Sequence, residues 1–178
     1  MNFKYLLTSI FVIVAMMFFQ HCQHENSQQR GMTKEEREEA LVKANKGLVS
    51  RDSAQILGVV RAKGWEMQTT GTGLWYQIIE QGNGRKAKTN MIAELLYKVR
   101  LLNGKLVYSS DSTGLKSFRI TKGGVERGLE EGILLLREGD SARFVMPPYM
   151  AHHLMGDQKR IPPRASIIYE VRLKSLRK

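Results

Sequence analysis

Apolar and polar residues alternate through much of the chain beyond residue 73. Between Ile92 and Leu101, the residues Leu95, Tyr97, Val99 and Leu101 share one face and Glu94, Lys98 and Arg100 the other, which predicts a half-buried strand. Asn103-Gly104 tolerates positive φ at both positions, so Lys105 to Ser109 is predicted to return as a hairpin partner. Leu74 to Ile79 is rich in aromatic and β-branched residues after the Gly71 to Gly73 break, and Gly82-Asn83-Gly84 turns the chain. Lys116 to Ile120 reads as another strand. Phe144 and Met146 alternate with Arg143 and Val145 until Pro147-Pro148 ends pairing, and Ile167, Tyr169, Val171 and Leu173 alternate again from Ser166.

A period near 3.6 replaces this alternation in two places. Val125, Leu129, Ile133 and Leu136 form one stripe, predicting a helix that Gly139 stops. Nearer the N-terminus, Thr33-Lys34-Glu35-Glu36 is a capping box that opens a helix with Ala40, Leu41, Ala44 and Leu48 on its narrow apolar side. Ser50-Arg51-Asp52 predicts a break before a second helix carrying Ile56, Leu57, Val59 and Val60 as far as Lys63-Gly64. The fold class is therefore α+β: about six antiparallel strands wrapped over one short helix, with an N-terminal helical extension. The predicted segments are a signal over 1–21, a tether over 22–32, the helical extension over 33–72 and the main domain over 73–178. Residues 33–64 offer either a face for a homodimer or an extension docked on the domain.

The 178 residues suffice for one domain and a small addition. A formal charge of +11 raises the question of nucleic acid, but Lys and Arg are scattered without a basic stripe interleaved with aromatics, and a solvated basic surface is the reading adopted. A lone cysteine excludes an intramolecular disulfide and a cysteine-rich metal cage. Its position carries more information. Lys4 precedes an apolar run from Tyr5 to Phe19, and Cys22 follows at once, ahead of the polar residues Gln23 to Arg30. A charged start, a short apolar run and a cysteine are arranged as in a bacterial lipoprotein signal, with Cys22 carrying lipid after cleavage, although His21 stands where Gly, Ala or Ser is usual. An uncleaved anchor and an ordinary secretory signal are the alternatives. All three place the folded part outside the cytoplasm, and the lipid-anchored reading places it in the cell envelope facing the periplasm or the cell surface, which argues further against a nucleic-acid partner.

Several motifs stand in an order that resembles the FKBP-type peptidyl-prolyl cis-trans isomerases: Gly73-Leu74-Trp75-Tyr76 with Gly82-Asn83-Gly84, then Asn103-Gly104-Lys105 with Ser109-Ser110, Val125-Glu126-Arg127-Gly128-Leu129-Glu130-Glu131-Gly132, Ile161-Pro162-Pro163 and Tyr169-Glu170-Val171. The resemblance covers about three fifths of the chain. The signal, the run from Trp65 to Trp75, Val107-Tyr108-Ser109 and Gly156-Asp157 resemble more narrowly the gliding-motility-associated branch of exported FKBP lipoproteins. The resemblance implies a pocket lined by Tyr97, Val107, Val125, Leu129, Ile161 and Tyr169, with the Glu126 backbone N–H offered to the substrate carbonyl and His152 where the family commonly has a ligand-reaching tyrosine. It further implies proline-containing polypeptide clients, membrane attachment through Cys22, and no cofactor. Five positions depart from the family's usual residues: Leu129 for Trp, Tyr108 for an aspartate, Lys116 for a second pocket aromatic, His152 for Tyr and His153 for Gly.

Rotation about an X–Pro bond meets a barrier of roughly 18–20 kcal/mol, and the twisted amide has less charge separation than the planar one. An apolar, water-poor pocket favours the twisted form without proton transfer or nucleophile, so aromatics and aliphatics with one or two hydrogen bonds are the expected site. The sequence contains no triad, phosphate loop or carboxylate pair suited to another reaction. Taken without the resemblance, Tyr97, Val107, Leu129 and Tyr169 at these spacings read as core. His152-His153 lacks a third ligand at suitable spacing and reads as exposed loop rather than metal site. Asp111, Asp140 and Asp157 read as turn or capping residues. Two functions follow: an isomerase assisting the folding of envelope or secreted proteins, or a catalytically weak binding module or holdase of the same fold. Whether the pocket stays deep and apolar beside Lys116 separates them.

Overall fold

The computed structural model describes residues 32–178; the signal segment, Cys22 and the tether as far as residue 31 lie outside the described residues. The elements in chain order are helix α1 (Lys34–Ala62), strands β1 (Gln68–Thr69), β2 (Trp75–Glu80), β3 (Ile92–Leu101) and β4 (Leu106–Ser109), the single turn α2 (Ser110–Thr113), β5 (Lys116–Arg119), α3 (Arg127–Leu134), β6 (Ser141–Met146), a 3-10 turn (Pro148–Met150) and β7 (Ile167–Arg177). All strand pairings are antiparallel, in the order β1-β2-β6-β7-β3-β4. Strand β3 is the spine. It pairs with β7 from Ile92 to Leu101 and shares its other edge between β5, opposite Ile92–Leu95, and β4, opposite Lys98–Arg100.

The sheet wraps over α3 because both surfaces are apolar where they meet. Leu129 and Ile133 are fully buried against a cluster that includes Leu95, Val99, Phe144, Met146, Tyr169 and Val171. Close approach depends on two glycines on the same side of α3. A Cβ on Gly128 would stand 2.8 Å from the Met146 side chain, and one on Gly132 would stand 2.7 Å from the Phe144 ring. The helix is shorter than its hydrophobic period predicts. Val125 lies outside it, Glu126 is the N-cap, and the last turn tightens at Leu135, whose N–H donates to Gly132 O. Gly139 therefore does not stop the helix. It occupies the following turn at φ 94°, where Asp140 accepts N–H bonds from Arg137 and Gly82.

The predicted pair of N-terminal helices is one continuous helix, capped as expected by the reciprocal Thr33 and Glu36 bonds. Asp52, read as a breaker, lies inside it because its carboxylate is needed elsewhere: it accepts from Arg164 at 3.1 and 3.3 Å and is nearly buried. Beyond it Ile56 and Val60 pack on Val145 and Ile168, on the face of the sheet opposite α3. Both faces of β7 are thus covered, which is why Ile167, Ile168 and Tyr169 are buried in succession rather than alternately. The two-residue β1 brings the strand count among the described residues to seven, and β7 continues past Leu173 to Arg177 across a bulge.

Candidate active site

Four elements converge on the site. Strand β3 contributes Tyr97, β5 begins with Lys116, the N-cap of α3 is Glu126, and β7 contributes Tyr169. The loop after the 3-10 turn adds His152. Behind them Val107, Leu129 and Ile161 are buried in the main core, with Val125 packed against it. Val107 owes its position to a bulge: Val99 faces Tyr108 and Arg100 faces Leu106, leaving Val107 as the extra residue. The loop is pinned beside it. Asp157 accepts from the backbone N–H of Lys159, Arg160 and Ile161 and from the Tyr108 hydroxyl, while Arg160 donates to Val107 O at 2.9 Å. Burial acts to raise the Asp157 carboxyl, but the Tyr108 hydroxyl and the backbone donors outweigh it and hold the group at about 2.

A cleft of about 460 Å³ opens here, with Lys116, Val125, Glu126, Arg127, Ala151 and His152 among its lining. Its base is charged. The Tyr169 hydroxyl donates to Glu126 Oε1 at 2.8 Å, His152 Nε2 lies 3.2 Å from the same oxygen, and Lys116 Nζ stands 3.5 Å from Oε2. Lys116 also donates to the Tyr169 hydroxyl at 3.0 Å and rests 5.3 and 5.5 Å from the ring centroids of Tyr97 and Tyr169. Those rings are 6.0 Å apart, and the Tyr97 hydroxyl meets Thr113 Oγ1 at 2.7 Å. The Glu126 side chain is only 8% exposed. Burial alone raises its carboxyl, but the His152 hydrogen bond, the Lys116 charge, its own backbone N–H and the Tyr169 hydroxyl bring it down to about 2. Burial, followed by the charge of Glu126, pushes the Tyr169 hydroxyl well above its ordinary value.

This architecture has relatives. A family model described as FKBP-type peptidyl-prolyl cis-trans isomerase matches residues 83–174, just over half of the chain. The chain belongs to that family. It is 33% identical over 108 residues to a probable FKBP-type peptidyl-prolyl cis-trans isomerase FkpA of Neisseria meningitidis, and 34% identical over 113 residues to FkpA of Escherichia coli K12. These alignments cover 60% and 63% of the chain but 39% and 41% of the relatives, so the chain spans about two fifths of their length. Among solved structures, AtFKBP13 aligns with a TM-score of 0.60 at 25% identity over 62% of this chain and 98% of that one. Escherichia coli FkpA aligns with 0.62 at 22% identity over 99% of this chain and 83% of that one, a likeness of fold.

Within this FKBP-type domain, the eight residues singled out from the sequence occupy two depths. Val125, Glu126 and His152 line the cleft, whereas Tyr97, Val107, Leu129, Ile161 and Tyr169 form the buried ground behind it. Two things were missed. Lys116 lies over the tyrosine rings at 24% side-chain exposure, and Glu126, valued for its backbone N–H, directs its carboxylate inward. The available signal was that the polar departures Lys116 and His152 can both donate a hydrogen bond to a carboxylate such as that of Glu126. As read from the sequence, Asp140 and Asp157 accept turn N–H groups; at the start of α2, however, the cap is Ser109, whose Oγ accepts from the Asp111 backbone N–H, and Asp111 is a first-turn residue. Among the described residues no group of three metal-ligating side chains stands together.

Proposed function

We propose that this chain is an exported, lipid-anchored peptidyl-prolyl cis-trans isomerase that assists the folding of envelope or secreted proteins. The observation that carries the reading is that Tyr97, Tyr169, Val107, Leu129 and Ile161 come together in the buried core behind one cleft of an FKBP-type domain, with Val125 lining the cleft itself. A prolyl residue entering that cleft leaves water, and the twisted amide is favoured over the planar one. Neither step moves a proton. Glu126, held at about 2, and Tyr169, raised well above its usual value, keep their protonation states through neutral pH, so the rate should vary little between about pH 6 and 8. Protease-free NMR exchange on proline tetrapeptides tests this, with Tyr97→Ala losing most of the rate. A bell-shaped profile that disappears in His152→Tyr would make His152 an acid or base and refute the desolvation mechanism.

The second reading, a binding module or holdase, is favoured by the Lys116–Glu126 pair, which gives the cleft a charged base in place of an apolar one. Absence of exchange on every prolyl peptide, together with suppressed aggregation of an unfolded protein, would select it. The lipid anchor rests on the charged start, apolar run and Cys22; Cys22→Ser should abolish fatty-acid labelling and release the protein from membranes. Placement in the gliding-motility-associated branch rests on sequence motifs, among them Val107-Tyr108-Ser109 and Gly156-Asp157. For the α1 segment, Leu41, Val42 and Val49 leave apolar surface exposed that suits a homodimer, while Ile56 and Val60 are docked on the domain.

A further inference from the structure

We propose that Lys116 makes the cleft selective for clients that carry a carboxylate next to the proline. The proposal rests on the isomerase reading for the site, though not for its ranking of ligands. Lys116 and His152 stand between the buried Glu126 and solvent, 24% and 26% exposed against 8% for Glu126, and the exposed Arg127 and His153 line the same cleft. With the histidines neutral, Lys116 and Arg127 outnumber the single carboxylate, so the cleft is cationic where a client first meets it. Lys116 is also incompletely committed. Its ammonium has three donors; one reaches the Tyr169 hydroxyl, and Glu126 Oε2, 3.5 Å away, has no hydrogen-bond partner among the described residues. An incoming carboxylate can therefore take a Lys116 N–H without displacing a hydrogen bond to Glu126. The two tyrosine rings beneath fix the ammonium in place, so little ordering accompanies binding. The +11 charge of the whole chain favours approach of acidic segments from a distance.

The deciding comparison is between peptides with Glu, Gln or Lys beside the proline, placed before it in one set and after it in another. Exchange rate and dissociation constant are measured separately by NMR on the full chain. At low salt, at least one set should favour Glu over its neutral isostere Gln by about tenfold, the yield of one charge-assisted hydrogen bond. That ratio should fall toward one in Lys116→Met, persist in Lys116→Arg and be untouched by the exposed control Lys105→Met. A Glu/Gln ratio near one in both sets, a preference for the Lys peptides, or a ratio that survives in a folded Lys116→Met would overturn the proposal. If no peptide is turned over, the isomerase reading fails on its own, and the Glu/Gln ratio of dissociation constants still decides for or against Lys116.

Discussion

Replacing Glu126 by Gln removes the one acidic group of the cleft base without changing its shape, and its effect on stability should depend on pH in a calculable way. The folded protein holds this carboxyl at about 2 against an ordinary 4.5. Because the folded value is the lower one, the charged group stabilises the fold fully above about pH 4.5, and this contribution disappears as pH falls toward 2. The difference of about 2.5 units amounts to about 3 kcal/mol, of which about 2 kcal/mol is lost by pH 3. Asp157 and Glu138, also held at about 2, titrate in both proteins and cancel in the comparison. Urea denaturation of wild type and Glu126→Gln at pH 7, 5, 4 and 3 should show a stability gap that is constant down to about pH 5 and then closes by about 2 kcal/mol. A gap that stays parallel through pH 3 would mean that Lys116, His152 and Tyr169 do not stabilise the ionised form, and the account of the charged base would be wrong.

Two further outcomes test the frame. Leu129→Asp places an unpaired carboxylate in a fully buried position and should cost more than about 4 kcal/mol and leave the domain unfolded, whereas Leu129→Ala should remain folded and lose about 2–5 kcal/mol; a soluble, cooperatively unfolding Leu129→Asp protein would refute the assignment of that face. Arg164→Met strands the nearly buried Asp52 and should cost about 2 kcal/mol, less than a fully buried pair because Arg164 is partly exposed; hydrogen exchange should accelerate in α1 around Asp52, and Asp52→Asn in the same protein should recover part of the loss.

The long strands were legible because one face of each is buried in the core shared with α3, so that the demand on the sequence is local and has period two. Leu95, Tyr97 and Val99 in β3 and Phe144 and Met146 in β6 are buried as their alternation requires. Where a second layer intrudes, alternation stops carrying the information. Ile168 is buried only because Ile56 and Val60 cover it, and no window of β7 alone contains that fact. The same long-range contact misled the reading of α1. Ser50-Arg51-Asp52 has the composition of a helix boundary, but Asp52 is stabilised in mid-helix by Arg164, a residue 112 positions away. Local propensity differences of a few tenths of a kcal/mol cannot oppose such a pairing.

The residues singled out for the site come together in the structure, but the pairing among them was not legible from the sequence. Lys116, Glu126 and His152 sit on a strand, a helix N-cap and a loop, and each seen alone departs from an apolar pocket or lies beside it. Scored singly, each costs affinity for a prolyl ring. Brought together they compensate: Glu126 as N-cap makes no side-chain bond to its own helix, because its carboxylate is taken by Tyr169 and faces His152 and Lys116. A lone Lys116 over two tyrosines would be a buried charge short of a counterion, and a lone Glu126 would be worse, since burial by itself raises its carboxyl. The three are therefore one feature. A change at any of them alters the pairing of the others, and the binding preference of the cleft follows from the balance of the set, cationic at the surface and anionic beneath it.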